Sequence, residues 1–170
     1  MRVVSSVNQT RLAQRRFHNA NQETVVYRGE PIEWRVSGYG VAIQDDRVLL
    51  AKNEFEKYFD LPGGGVDLGE TFAEALERES VEESGYLLRP GKLLHHEVAW
   101  FQHRSGKFFQ TLRLYFWAET WEQIGEATDE EMIQVVWATQ EDIESGRYSV
   151  DEVAKGVIYR AFSDGVSVIS

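Results

Sequence analysis

Residues 64–86 hold seven acidic side chains, Asp67, Glu70, Glu74, Glu77, Glu79, Glu82 and Glu83, and one base, Arg78. Charge runs of this kind are ordinarily the solvated face of a helix, which makes a geometric prediction. On a helix from Thr71 to Ser84, turning roughly 100° per residue, Phe72, Ala75 and Leu76 define the apolar direction. Glu74 and Glu77 point away from it. Glu79 and Glu83 fall within the apolar sector and Glu82 at its edge, and their i, i+3, i+4 spacing places all three on one face. Ionised carboxylates turned inward are severely unfavourable without a counter-charge. A hard divalent cation such as Mg²⁺ supplies one, taking a few carboxylate oxygens together with waters and substrate phosphates.

Arg78 is spaced to meet Glu74 and Glu82 along this helix, as a clamp rather than a substrate contact. The preceding Gly63-Gly64-Gly65 run permits tight turns and close approach of the main chain to a ligand.

The helix carrying these groups is well marked. Thr71 and Glu74 have capping-box spacing, and Gly85 is a natural residue to end it. A second helix is expected from Ser149, with Glu152 completing its capping box and Val150, Val153, Ala154, Val157, Ile158, Ala161 and Phe162 on one face. Strand-like segments cover Thr24–Arg28, Ile32–Ile43, Val48–Ala51 and Met132–Ala138. Leu93–Phe101 and Phe108–Thr120 read as a hairpin around His103-Arg104-Ser105-Gly106, with Leu112, Leu114 and Phe116 facing opposite to Thr111, Arg113, Tyr115 and Trp117. This mixture predicts an α/β fold with helices packed on the faces of a mixed sheet.

The 170 residues fit one domain. Residues 1–22, polar and rich in Gln, Asn and Arg, read as an arm, a partly ordered helix or a dimer contact, ahead of a domain over 23–170. The net charge of −10 is uneven: residues 1–40 carry six Arg against three Glu, so the remainder carries −13. That balance argues against duplex DNA or long RNA as a partner. There is no cysteine, hence neither a disulfide nor a thiolate metal site. No apolar run suggests a signal peptide or a membrane span, so a cytoplasmic protein is expected.

Gly64, Glu70 and the run Arg78-Glu79-Ser80-Val81-Glu82-Glu83-Ser84-Gly85-Tyr86 resemble the Nudix box, G-x5-E-x7-R-E-U-x-E-E-x-G-U, where U is a bulky aliphatic residue. Ser80 and Tyr86 depart from the pattern, both at packing positions. Leu61-Pro62-Gly63 is similar to the family's lead-in. The resemblance implies an α/β/α sandwich with a mixed sheet and a hydrolase that cleaves a diphosphate linkage. The implied substrates are a nucleoside triphosphate, a nucleotide sugar, ADP-ribose or a dinucleoside polyphosphate. It further implies Mg²⁺, with Mn²⁺ able to substitute, held by Glu82 and Glu83, with Glu79 as a further ligand or the general base. The Gly63 carbonyl is an additional ligand, and Glu70 pairs with Arg78. The family's habits and the basic arm leave a homodimer open.

Outside the box, Arg35, Tyr39 and Arg113 suit phosphate or base contacts. Glu119, Glu126, Glu130 and Glu131 occupy the region where an extra acid or ligand is expected, with Glu130 or Glu131 favoured. His95-His96-Glu97 does not converge on a zinc ion from one strand, because alternation splits the two imidazoles between faces. Rival readings are a nucleotide-sensing module without catalysis and an RNA-end pyrophosphohydrolase. An isomerase on the same fold would imply a catalytic cysteine, which the chain lacks.

Overall fold

The computed structural model describes residues 11–165; the expectations for residues 1–10 and 166–170 lie outside the described residues. The strands are β1 (Phe17–His18), β2 (Thr24–Val25), β3 (Ile32–Val41), β4 (Ile43–Gln44), β5 (Arg47–Asn53), β6 (Gly63–Gly65), β7 (Tyr86–Gln102), β8 (Phe108–Gln123) and β9 (Met132–Ala138). The helices are α1 (Phe72–Ser84), α2 (Gln140–Glu144) and α3 (Glu152–Gly165). Among the described residues the strands form a six-stranded sheet, ordered β2-β1-β7-β8-β3-β6, and a three-stranded sheet, β4-β5-β9. The larger sheet is mixed: β3 runs parallel to β8 and antiparallel to β6, and β7 and β8 form the expected hairpin.

Alternation along β5 shows how the layers are made. Val48, Leu49 and Leu50 are all fully buried, yet they join different clusters. Val48 and Leu50 pack with Val41, Tyr115 and the α3 residues Val157 and Ile158. Leu49 packs with Ala42, Leu88 and the α1 residue Leu76. Sheet residues that alternate between two buried faces require a helix on each side. Here α3 supplies one and α1 the other, giving the α/β/α sandwich.

Several boundaries differ from expectation. The strand expected over Thr24–Arg28 pairs only at Thr24–Val25, and the extended run from Ile32 breaks at Ala42. Asp45 and Asp46 both take positive φ, 50° and 57°, making the tight turn between β4 and β5. Strand β7 begins at Tyr86, well before Leu93, with bulges around Pro90 and Leu93 absorbing the irregularity. Helix α3 is capped by Asp151, not Ser149: Asp151 Oδ1 accepts from the N–H groups of Val153 and Ala154, each at 2.8 Å. The Ser149 hydroxyl instead donates to the Gly146 carbonyl. Helix α2, capped by Thr139 and Asp142, had no apolar periodicity long enough to reveal it.

Part of the segment before residue 23 packs into the domain. Phe17 is fully buried, stacks on Tyr27 and meets Phe108 edge-on, and β1 joins the main sheet alongside β7.

Candidate active site

Helix α1 is fixed at both ends before it presents any functional group. Thr71 and Glu74 complete the capping box, and Gly85 ends the helix in the left-handed conformation, φ 75°. Its N–H donates to the Val81 carbonyl. The carbonyl of Glu82 accepts from the N–H groups of Thr128 and Asp129, and that of Gly85 from Ile124 and Gly125, so the loop after β8 buttresses the last turn. The face against the sheet consists of Ala75, Leu76, Ser80 and Ser84; Phe72, expected there, is 41% exposed. Ser80 is fully buried and satisfied, donating to the Glu77 carbonyl and accepting from the Leu88 N–H. A hydroxyl therefore replaces an aliphatic side chain at this packing position without an orphaned polar group.

Arg78 grips the loop as well as the helix. Its Nε donates to Glu70 Oε1 at 2.7 Å and its Nη2 to Glu70 Oε2 at 2.9 Å and to the Gly65 carbonyl at 3.1 Å. Nη1 faces Glu79 at 2.9 Å and Glu82 at 3.3 Å. Glu74, which helical spacing had offered to Arg78, is taken by the capping box instead. The guanidinium beside Glu70 pulls that carboxyl down to about 2.

The glycine run forms edge strand β6 under these carboxylates. Gly63 takes φ 145°, and its N–H donates to Glu83 Oε2 at 3.0 Å. A Cβ on Gly64 would lie 2.6–2.8 Å from the Glu79 carboxylate. Glu79 and Glu83 thus press directly onto main chain that lacks side chains. Burial raises the Glu79 carboxyl above its ordinary range despite the opposing pull of Arg78, and raises Glu83 further. Glu82 is turned outward, with its side chain 46% exposed and bound to Arg78. Among the described residues no three acidic or imidazole groups are gathered closely enough to hold a metal ion by themselves.

Glu79 and Glu83 border a cavity of about 610 Å³, which Arg35, Tyr39 and Arg113 also line. Arg113 packs against Glu97 at 3.5 Å, and its buried Nε has no hydrogen-bond partner among the described residues. Glu131 stands at the rim, tied to Arg104 and to Asn53, while Glu130 is exposed and does not line the cavity. Glu119 and Glu126 are likewise exposed and outside it. The His95 and His96 rings lie 6.3 Å apart, and Glu97 meets Arg113.

A family model for the NUDIX domain matches residues 34–160, about three quarters of the chain. The chain belongs to the NUDIX family. Among curated relatives, a segment is 43% identical over 58 residues to an ADP-ribose pyrophosphatase of Methanocaldococcus jannaschii, covering 32% of this chain and 34% of that protein. Another is 46% identical over 43 residues to a putative 8-oxo-dGTP diphosphatase of Bacillus subtilis, covering 25% and 29%. The matched stretches thus span about a third of these relatives' lengths. In structure, the NUDIX fold is shared with a MutT NUDIX hydrolase from Burkholderia pseudomallei at TM-score 0.60 and 21% identity, over 75% of this chain and 98% of that one. It is shared equally with a NUDIX hydrolase from Nitrosomonas europaea at TM-score 0.61 and 18% identity, over 78% and 90%. No helix among the described residues is long and apolar enough to cross a membrane.

Two groups around the NUDIX cavity escape sequence reasoning. Asp60 lines it, its Oδ1 accepting from the Leu61 N–H at 2.8 Å. Burial and then the neighbouring Asp151 push its carboxyl up to about 7, opposed by Arg113. One aspartate before Leu61-Pro62 carries no sequence signal of burial. The second group is the turn at Asn19–Gln22, contributed by the segment read as an arm.

Proposed function

We propose that this NUDIX protein hydrolyses a diphosphate linkage in a small nucleoside diphosphate derivative, with Mg²⁺ as its cofactor and Mn²⁺ able to replace it. The substrate range is that of nucleoside triphosphates, nucleotide sugars, ADP-ribose and dinucleoside polyphosphates. The observation that carries the reading is the pairing of two desolvated carboxylates, Glu79 and Glu83, with two guanidinium groups, Arg35 and Arg113, around one cavity. Burial outweighs Arg78 at Glu79 and raises Glu83 as well, so both acids suit a further positive charge, and the cations suit phosphate oxygens. The naming of relatives as a pyrophosphatase and a diphosphatase supports the same reaction class.

The residues fit a divalent cation of the kind that takes few protein ligands and keeps waters and phosphate oxygens for the rest. Glu83 and Glu79, raised by burial and lying beside Gly63 and Gly64, are the groups that would hold it, with Glu82 and the Gly63 carbonyl contributing. Such an ion neutralises phosphate oxygens and makes a neighbouring water more acidic. The protein's own groups do the rest. Arg35 and Arg113 orient the diphosphate from the cavity wall. Arg78 and Glu70 hold the α1 carboxylates against β6. Where Glu79 is not taken as a ligand, its carboxylate is placed to accept the proton of the attacking water.

The test is incubation with Mg²⁺ and a panel of these nucleotides, with products identified by mass spectrometry and a Glu82→Gln/Glu83→Gln variant alongside. Cleavage at a diphosphate, abolished by EDTA and in the variant, is the expected result. Nucleotide binding without turnover across the panel would replace this reading with a sensing module.

A further inference from the structure

One wall of the cavity comes from residues that precede the family match, which begins at residue 34. Between β1 and β2 the chain turns through Asn19, Ala20, Asn21 and Gln22, all four lining the cavity. The turn is built to hold its shape. Asn19 Oδ1 accepts from the N–H groups of Asn21 and Glu23 at 2.9 and 3.0 Å, and the Asn19 carbonyl accepts from Gln22 at 2.9 Å. Gln22 completes it with φ 61°. Its base is anchored by buried Phe17 and by the pairing of His18 with Phe101, itself a cavity residue.

The turn is also clipped across the cavity mouth. Asn21 Oδ1 accepts from the Lys57 N–H at 2.7 Å, and Lys57 Nζ meets Glu23 at 2.9 Å. The exposed ion pair contributes little on its own, so the Asn21 bond is the main link to the loop between β5 and β6. That loop brings Phe55, Tyr58 and Phe59 to the same cavity. The chemistry of this wall differs from that of the box. Glu79, Glu83, Arg35 and Arg113 offer charge, whereas the turn offers the neutral amide of Gln22 and the loop aromatic rings, with Glu56 and Asp60 as the loop's own acids. Amides satisfy the donors and acceptors on the edge of a planar heterocycle, and rings cover its face.

We propose that the Asn19–Glu23 turn, clipped to the β5–β6 loop through Asn21, is the specificity wall of the cavity and grips the nucleoside half of the substrate. The inference rests on the nucleotide-hydrolase reading above for the location of the diphosphate. Asn21 acts by positioning the wall, and Gln22 by presenting its side chain to the ligand.

Calorimetric titration with Mg²⁺ decides the matter, using ADP, GDP, UDP and CDP as nucleoside-bearing probes and inorganic pyrophosphate as the bare probe. The variants are Asn21→Ala, which unclips the wall, and Gln22→Gly, which keeps the left-handed backbone and removes the side chain. For the best-bound nucleotide, Asn21→Ala is expected to raise Kd about tenfold, the size of one lost hydrogen bond. Gln22→Gly is expected to raise it several-fold, and pyrophosphate should change less than twofold in both. Circular dichroism and melting curves establish that each variant is folded, and Gln22 is exposed, so its variant keeps the test alive if Asn21→Ala fails to fold. Equal loss for nucleotide and pyrophosphate, or no loss for either, overturns the proposal, as does a wild type that binds no nucleotide. A wild type that binds nucleotide with the expected selectivity but hydrolyses nothing overturns the hydrolase reading and leaves the wall standing.

Discussion

Arg78 and Glu70 face each other side-on, two parallel hydrogen bonds of 2.7 and 2.9 Å joining a helix to the loop that precedes it. The same guanidinium reaches the Gly65 carbonyl, so one side chain ties α1, its entry loop and the edge strand together. Bidentate geometry of this kind is specific to arginine, and a lysine cannot reproduce it.

Glu70→Gln should therefore lower the melting temperature at pH 7 by a few degrees. The pH dependence follows from the depressed carboxyl, held at about 2 by Arg78. A lowered folded-state value contributes stability that is fully present above the unfolded value near 4.3, and lost as pH falls through about 2. The gap between wild type and variant should be constant from pH 7 to 5 and close toward pH 2, as thermal melts at each pH would show.

Gly64→Ala tests the contact between edge strand and carboxylate. The added methyl would sit 2.6–2.8 Å from the Glu79 carboxyl carbon and oxygens, which must swing aside. A displacement of about 1 Å at reacting groups costs on the order of 100-fold in rate. We expect kcat to fall by about that factor with little change in melting temperature, since the moving atoms are the end of a side chain. An unchanged kcat would remove Glu79 from the chemistry.

Asp60 gives a prediction of opposite sign. Its carboxyl stands at about 7 because burial and Asp151 oppose its ionisation. An acid raised on folding leaves stability intact below its unfolded value near 3.9 and erodes it as pH rises through the folded value. In EDTA, Asp60→Asn should melt several degrees above wild type at pH 8 and together with it at pH 4. Equal melting temperatures at pH 8 would mean that the carboxylate is fully compensated there.

Arg113→Met should separate binding from folding. The side chain is largely enclosed, with only 20% of it accessible, and it meets Glu97 at 3.5 Å and the Phe101 ring, while its Nε has no partner among the described residues. We expect the KM for the preferred nucleotide to rise at least tenfold while the melting temperature falls by only a few degrees. Steady-state kinetics and a thermal melt on the same preparation check both halves.

The sequence made α1 legible because helical periodicity, a capping box and a terminal glycine all agreed, and because charge fell on a face where burial forbids it. It misdirected on Phe72, whose hydrophobicity outweighed its position in the first turn. It offered Ser149 as a cap where Asp151, two residues on, makes the bonds. Asp60 and the Asn19–Gln22 turn stayed hidden for a different reason. Their significance comes from what lies across the cavity from them, and pairing between segments distant in sequence leaves no local period to read. Phe17 could have warned that this segment reaches the core, as the one Phe, Tyr or Trp among residues 1–22.

The buttressing of α1 divides the cavity into an anvil and a jaw. The anvil is the helix, held by its capping box, by Arg78 and by four amides of the loop after β8. The jaw is the turn at Asn19–Glu23 and the loop facing it, joined among the described residues by the hydrogen bond from the Lys57 N–H to Asn21 and one exposed ion pair. Opening is cheapest where the fewest buried contacts must break. Ligand entry and release therefore fall to the jaw, and amide hydrogens there should exchange quickly and slow on binding, while those of α1 stay protected throughout. Differences in ligand preference between this chain and its relatives can then arise by changing the jaw alone, with the anvil left as it is.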